Sequence, residues 1–295
     1  MVDVVLAPDR APETGTDVPG RVLLAQGGSA ANTARWLGRL GARVGLISAV
    51  GRDPAGRALV DAVRGDRVTA HVARVAGART GRVGVLVMPG GERSFVTDRG
   101  AADRLQPADL RPAWFAGADA LHVPAYSLLT EPLGTAARSA IQHAREARAA
   151  VSLDLASTGP LLAGGRVAAR RLIVDAAPDL LFATAVEAEA LLGGGPFEDL
   201  LDLAPMAVVK RGSKGATVLA RSSGERIRLE VATTPLQAAD TTGAGDAFDA
   251  GFLVGWFAAR RAGIGSTAAL RRAAVAGHRA AARQISTPRP ELTLA

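Results

Sequence analysis

Two kinds of segment alternate along the chain. Short apolar or β-branched runs at 44–50, 83–88, 120–123, 151–155, 180–182, 207–209 and 217–219 predict strands. Between several of them lie stretches of helical period, at 30–40, 54–63, 133–149, 185–192 and 244–260. This β-then-α rhythm predicts an α/β fold of three layers, a central and mostly parallel sheet with helices on both faces. The runs at 180–182 and 207–209 carry no polar residue, and with the run at 151–155 they are read as strands covered on both sides.

One region breaks the rhythm. From about 69 to 99 the residues are strand-like, with a turn at Pro89-Gly90-Gly91, which predicts a β-hairpin. Inside an α/β chain such an excursion is most simply a small β lid over the sheet edge. The lid is expected to comprise mainly 69–99 together with the segment near 4–25. No internal repeat, low-complexity tract or linker divides the chain, so 1–295 reads as a single domain.

Charge changes this picture little. The 35 Lys+Arg against 28 Asp+Glu give a net charge of +7, which invites a nucleic-acid partner. Only two of the cations are lysines, Lys210 and Lys214, and the arginines are strewn along the chain rather than gathered in a stripe with aromatics. No nucleic acid is therefore expected. Neither an apolar run of membrane-spanning length nor a basic segment followed by an apolar one after Met1 is present, so the expectation is no membrane and a cytoplasmic protein. The absence of cysteine excludes disulfides, thiolate nucleophiles and Cys-type zinc sites.

The strongest chemical signal is DTTGAGDAF at 240–248, where a Gly-rich turn opens directly into a helix. First-turn N–H groups have no intrahelical partner, and the helix dipole adds positive potential, so such a terminus is suited to an anion. A carboxylate such as Asp246 also suits an N-terminal helix position for structural reasons alone. A second glycine turn at 26–32, QGGSAAN, leads into a helix with Ser29 as the expected cap and Asn32 in the first turn. Neither lysine follows a glycine in P-loop spacing, Gly-x-Ser-x-Gly and His-Glu-x-x-His are absent, and no Gly-x-Gly-x-x-Gly follows the first strand.

Taken together, the two glycine turns resemble the ribokinase, or PfkB, family of carbohydrate kinases. The N-terminal family pattern is matched by GGSAANTARWLGRLGARVGLISAVGRDPAG at 27–56, and the C-terminal one by DTTGAGDAFDAG at 240–251. GERSFVTDRGAA at 91–102, LFATAVEAEALLG at 181–193 and VVKRGSKGA at 208–216 fall between them in family order. The resemblance spans nearly the whole chain. It implies a ribokinase-like α/β/α fold with a β lid, and transfer of the ATP γ-phosphoryl group to a hydroxyl of a small sugar.

Site residues carry over one at a time. Asp246 is implied as the general base, with Gly243, Ala244 and Gly245 forming the anion hole. Asp3, Gly27, Gly28, Asn32 and Arg99 are implied on the sugar side. Thr184, Lys210, Gly212, Gly215 and His278 are implied on the nucleotide side. Glu187 is implied to help hold Mg²⁺ through water. Asp240 and Thr242 resemble the members that bind a monovalent cation, usually K⁺. Dimerisation through the lid is common in the family, which makes a homodimer a further implication.

Two departures from the family pattern stand out. Thr184 occupies a place usually held by Asn, replacing an amide by one shorter hydroxyl, with an expected cost of about 0.5–1.5 kcal/mol in metal–phosphate organisation. The chain also begins almost at Asp3, where relatives have a full apolar strand first. A truncated first strand is expected to leave its neighbours in the sheet unpaired. Beside the sugar-kinase reading stand a nucleoside kinase on the same scaffold and a non-catalytic sugar-binding homologue.

Overall fold

The computed structural model describes residues 1–90, 92–222, 225–236 and 240–294; Gly91, in the expected hairpin turn, lies outside them. The chain opens with strands β1 (Val2–Pro8) and β2 (Gly20–Gln26), then α1 (Ser29–Arg39), β3 (Val44–Gly51), α2 (Pro54–Gly65) and β4 (Val68–Val75). A hairpin of β5 (Arg82–Val87) and β6 (Arg93–Asp98) follows. The alternation resumes with β7 (Ala120–Pro124), α3 (Leu133–Glu146), β8 (Ala150–Asp154), α4 (Thr158–Leu162), α5 (Gly165–Ala176), β9 (Leu180–Thr184), α6 (Ala185–Leu192) and β10 (Met206–Lys210). Strands β11 (Ala216–Ser222) and β12 (Glu225–Val231) precede the two long helices α7 (Ala244–Arg261) and α8 (Ser266–Ser286).

The main sheet has the order β12-β11-β10-β9-β8-β7, with β7 to β10 parallel and β11 and β12 antiparallel. Its period of two sends alternate residues to opposite faces. Leu181, Ala183, Ala207 and Val209 pack with α3, α5 and α6 on one side. Leu180, Phe182 and Val208 pack with Phe248, Phe252 and Trp256 of α7 and Leu270 of α8 on the other. Full burial of Phe182 and Phe252 contributes about 2–3 kcal/mol each toward fixing α7 on the sheet. Because β8, β9 and β10 run parallel, their C-terminal residues Asp154, Thr184 and Lys210 emerge at one edge, and crevices at such edges are where open α/β sheets bind ligands.

The lid is a separate four-stranded sheet, β2-β1-β5-β6. The expected lid limits need one correction. Residues of β4 do not belong to it, because Val68–Val75 pairs in parallel with β3 in a two-stranded sheet. Period-two alternation is weak in β4, so only its partner fixes where it goes. The first strand pairs with β2 and β5 in the lid sheet rather than with the main sheet. Among the described residues β3 pairs only with β4 and β7 only with β8, so one edge of each stays unpaired.

Candidate active site

The N-terminus of α7 forms one wall of the site. Gly243 caps it with φ of 77°, a left-handed conformation that glycine adopts without steric cost. The N–H of Ala244 is taken by the Thr241 carbonyl at 3.1 Å, which leaves Gly245 and Asp246 as the first-turn donors directed past the helix end.

Asp246 meets the N-terminus of α1. Ser29 Oγ donates to its Oδ1 at 2.6 Å, and Asn32 Nδ2 donates to its Oδ2 at 2.8 Å. Arg35 in turn donates to Asn32 Oδ1 at 2.6 Å and fixes the amide's orientation. Burial raises the Asp246 pKa, and the two donated hydrogen bonds oppose that rise without cancelling it. Ser29 is not the helix cap expected from sequence. Gly28, with φ of 94°, holds that position, which frees the Ser29 hydroxyl for the carboxylate.

The lid side of Asp246 carries the residues implied for the sugar. Asp3 is buried on β1 and pairs with Arg289 at 2.7 Å. It packs against Gly27 so closely that a Cβ there would overlap the Asp3 carboxylate. Arg99 donates to Asp103 at 2.5 Å and lies over the Tyr126 ring at 4.5 Å. Burial pushes the Tyr126 hydroxyl up to about 12, with the Asp246 charge adding to the rise.

On the far side of α7 lies a cleft of about 760 Å³. Thr184, Lys210, Gly212, Gly215 and His278 all line it, together with Ala244 and Gly245. Both ring nitrogens of His278 are buried without a protein partner, and burial lowers the pKa of the ring. Phe248 packs beneath it at 5.2 Å. The cleft thus gathers the residues implied for the nucleotide beside the N-terminus of α7.

Lys210 is more deeply engaged than a phosphate-binding lysine need be. Its ammonium bonds both carboxylate oxygens of Asp249 at 3.1 Å and Asp154 at 3.3 Å. Burial alone would lower its pKa, but the charges of Asp154, Asp249 and Glu187 raise it overall. Thr184 caps α6, accepting from the Glu187 N–H at 3.2 Å, while Glu187 accepts from the Thr184 N–H at 2.7 Å. Burial and the nearby Asp154 charge raise the Glu187 pKa despite that bond and the Lys210 charge. Two hard carboxylates in mutual repulsion suit Mg²⁺ arriving with phosphates. Among the described residues no cluster of three or more His, Asp or Glu side chains could hold an ion alone.

Five residues that the motifs did not single out belong to this neighbourhood: Asp154, Asp249, Tyr126, Arg93 and Arg289. Two had a visible signal. Asp154 is a carboxylate at the end of a buried strand, and Asp249 interrupts an apolar helix face one turn after Asp246. Nothing local marks the others, since they reach the site only through the fold.

Residues 1–292 match the family described as pfkB family carbohydrate kinase. A fructokinase of Klebsiella pneumoniae is 32% identical over 251 residues, covering 81% of this chain and 79% of that protein. The crystal structure of adenosine kinase from Sinorhizobium meliloti is similar with a TM-score of 0.80 and 25% identity, covering all of this chain and 94% of that one. A fructokinase from Vibrio cholerae, with fructose, ADP and calcium ion bound, shares the fold at a TM-score of 0.76 and 24% identity, covering 99% of this chain and 92% of that one.

Proposed function

Since this chain belongs to the pfkB family of carbohydrate kinases, we propose that its chemistry runs where α1 meets α7, with Asp246 as the general base. The chain is an ATP-dependent sugar kinase, a phosphotransferase with a hydroxyl acceptor. One observation carries the residue assignment. Asp246 stands at a helix N-terminus between the nucleotide-type cleft and the lid, its two oxygens oriented by Ser29 and Asn32.

The sugar hydroxyl gives its proton to Asp246 as its oxygen bonds the γ-phosphorus, and the bond from that phosphorus to the ADP oxygen breaks. A buried carboxylate with a raised pKa is a stronger base than an exposed one, which suits proton removal near neutral pH. The Gly245 and Asp246 N–H groups and the α7 dipole face the charge that spreads over the transferring oxygens. Mg²⁺ bound with the nucleotide would be held through water by Glu187 and Asp154 and would neutralise phosphate charge. Lys210 serves mainly to balance the carboxylates behind the anion hole. His278 would meet the nucleotide base, and Asp3, Asn32 and Arg99 the sugar hydroxyls.

Fructose is the first acceptor to try, because the relative of highest identity described above is a fructokinase. A nucleoside acceptor is less favoured, since the fructokinase relative is more similar in sequence than the adenosine kinase structure. One face of the lid sheet exposes Leu6, Val22 and Val96, an apolar surface that a homodimer through the lid would cover. Sedimentation of the wild type against Val96→Glu tests that pairing.

The decisive assay follows ADP release over a panel of ketoses, aldoses, sugar acids and nucleosides. Turnover with a sugar is expected, and Asp246→Asn should lower it about 10²–10⁴-fold while calorimetric binding of sugar and ADP persists. Near-wild-type turnover by that variant would remove Asp246 from the mechanism.

A further inference from the structure

The loop that precedes the anion hole is gripped by two arginines from distant parts of the chain. Arg289 Nε donates to Asp240 Oδ2 at 2.9 Å, while its Nη1 reaches Asp3 at 2.7 Å. Arg93, on the lid strand β6, donates to Thr242 Oγ1 at 2.7 Å, approaches Asp240 Oδ1 at 3.4 Å, and also bonds Thr241 Oγ1. The Thr242 N–H adds a bond to Asp240 Oδ1 at 2.8 Å. Every side-chain oxygen offered by Asp240 and Thr242 is thus already accepting a hydrogen bond.

Family resemblance places a monovalent cation at Asp240 and Thr242, and the donor set here does not fit one. A K⁺ ion needs oxygens whose lone pairs are free, and it would sit beside the two guanidinium groups of Arg93 and Arg289. The charge count is closed without it, because two guanidinia face the two carboxylates of Asp3 and Asp240. An added cation would find no unpaired negative charge in this cluster.

Arg289 is built in rather than loosely placed. It lies between Pro288 and Pro290, whose rings fix the backbone torsions on either side. The tail is then tied to the lid, with the Leu292 N–H bonding the Leu24 carbonyl at 2.8 Å and Glu291 bridging to Ala25. Leu292 is buried against Val2. The side chain of Arg289 is 11% exposed, so its charge is held in a poorly screened setting.

We propose that Arg289, assisted by Arg93, is the resident cation of the anion-hole loop, so that this sugar kinase works without K⁺. The inference rests on the sugar-kinase reading. Both arginines are positioning residues: they hold Asp240, Thr241 and Thr242, and through them the turn at Gly243. Because Arg93 comes from the lid and Arg289 also holds Asp3, one ionic cluster joins the lid, the sugar-side acid and the anion hole.

The test compares KCl with tetramethylammonium chloride at equal ionic strength, using ADP binding by calorimetry, Tl⁺ binding by ²⁰⁵Tl NMR, and turnover with the accepted sugar. For the wild type, ADP affinity and kcat should agree within about twofold in the two salts, with no saturable Tl⁺ site. Arg289→Ala, checked for folding by thermal melting, should lose about tenfold in ADP affinity without K⁺ and recover part of it with K⁺. Arg289→Lys, which keeps the charge but not the fork that reaches both Asp240 and Asp3, should recover part of the Arg289→Ala loss in both salts. A saturable Tl⁺ site or K⁺ activation beyond about fivefold in the wild type overturns the proposal. So does an Arg289→Ala protein that folds and binds ADP at wild-type strength in K⁺-free buffer. A wild type that binds no ADP in either salt would instead overturn the kinase reading itself.

Discussion

Asn32 Nδ2 donates to Asp246 Oδ2 across 2.8 Å, linking residues 214 positions apart. Arg35 takes the amide oxygen, so the NH₂ group is the one that faces the carboxylate. A donated hydrogen bond favours the charged form and opposes the rise that burial imposes on Asp246. The base must be ionised to act, so activity falls as pH drops through its pKa. The acid limb of kcat/KM should therefore lie above 3.8 in the wild type and move further up in Asn32→Ala. At high pH the variant should still turn over about tenfold more slowly, because one orienting contact is gone. A pH–rate series on both proteins decides this, and a limb that stays put or moves down would contradict the pairing.

Gly27 is a steric requirement for Asp3. Its missing side chain is the space that the Asp3 carboxylate occupies, and the same carboxylate holds Arg289. Gly27→Ala should push Asp3 away and weaken sugar binding by at least about tenfold, while ADP binding in the cleft changes much less. Paired calorimetric titrations check the split. Equal losses for both ligands would point to general damage rather than to Asp3.

Lys210 and Asp249 form a buried ion pair, with side chains 10% and 0% exposed. Removing one member leaves the other charged in a poor solvent. Asp249→Asn should therefore cost about 2–4 kcal/mol in urea unfolding, softened by the Asp154 contact that remains. Replacing both, Lys210→Met with Asp249→Leu, should recover little of that loss, because buried Asp154 then loses its cation. If the single variant unfolds with the wild type, the pair contributes little to stability.

Much of this architecture is legible in the pattern of residues, and the exceptions share a cause. The strand runs ending at Thr184 and Lys210 are apolar up to their last residue, so a sheet covered on both faces follows directly. The glycine turns before Asn32 and Asp246 announce themselves because few other local sequences tolerate such backbones. That Ser29 and Asn32 would both hold Asp246 is not visible locally, since neither turn encodes its distance from the other. Arg289 is hidden more deeply. It lies in a short proline-flanked tail, and only pairing of that tail with β2 brings it to Asp3 and Asp240. The pairing of β4 with β3 outside the lid sheet also escapes the pattern, because an apolar strand suits either sheet equally well.

Asp53 offers a test of the frame that supports α1 and β3. It caps α2 by accepting from the Gly56 N–H at 2.8 Å, and it accepts from the Thr80 N–H at 2.8 Å and the Thr80 hydroxyl at 2.5 Å. Burial would raise its pKa, but the bonds from Thr80 and Gly56 and the Arg82 charge lower it overall. A depressed folded-state pKa means that the stabilisation is present above the unfolded value and fades as pH falls through the folded one. Asp53→Ala should cost about 1–2 kcal/mol at neutral pH, the range for losing a helix cap. The gap between variant and wild type should then narrow well below pH 3.8, where the wild-type carboxylate is protonated. Urea midpoints at the two pH values measure both effects, and a gap that stays constant would mean that the ionised carboxylate is not what holds Thr80 and α2 together.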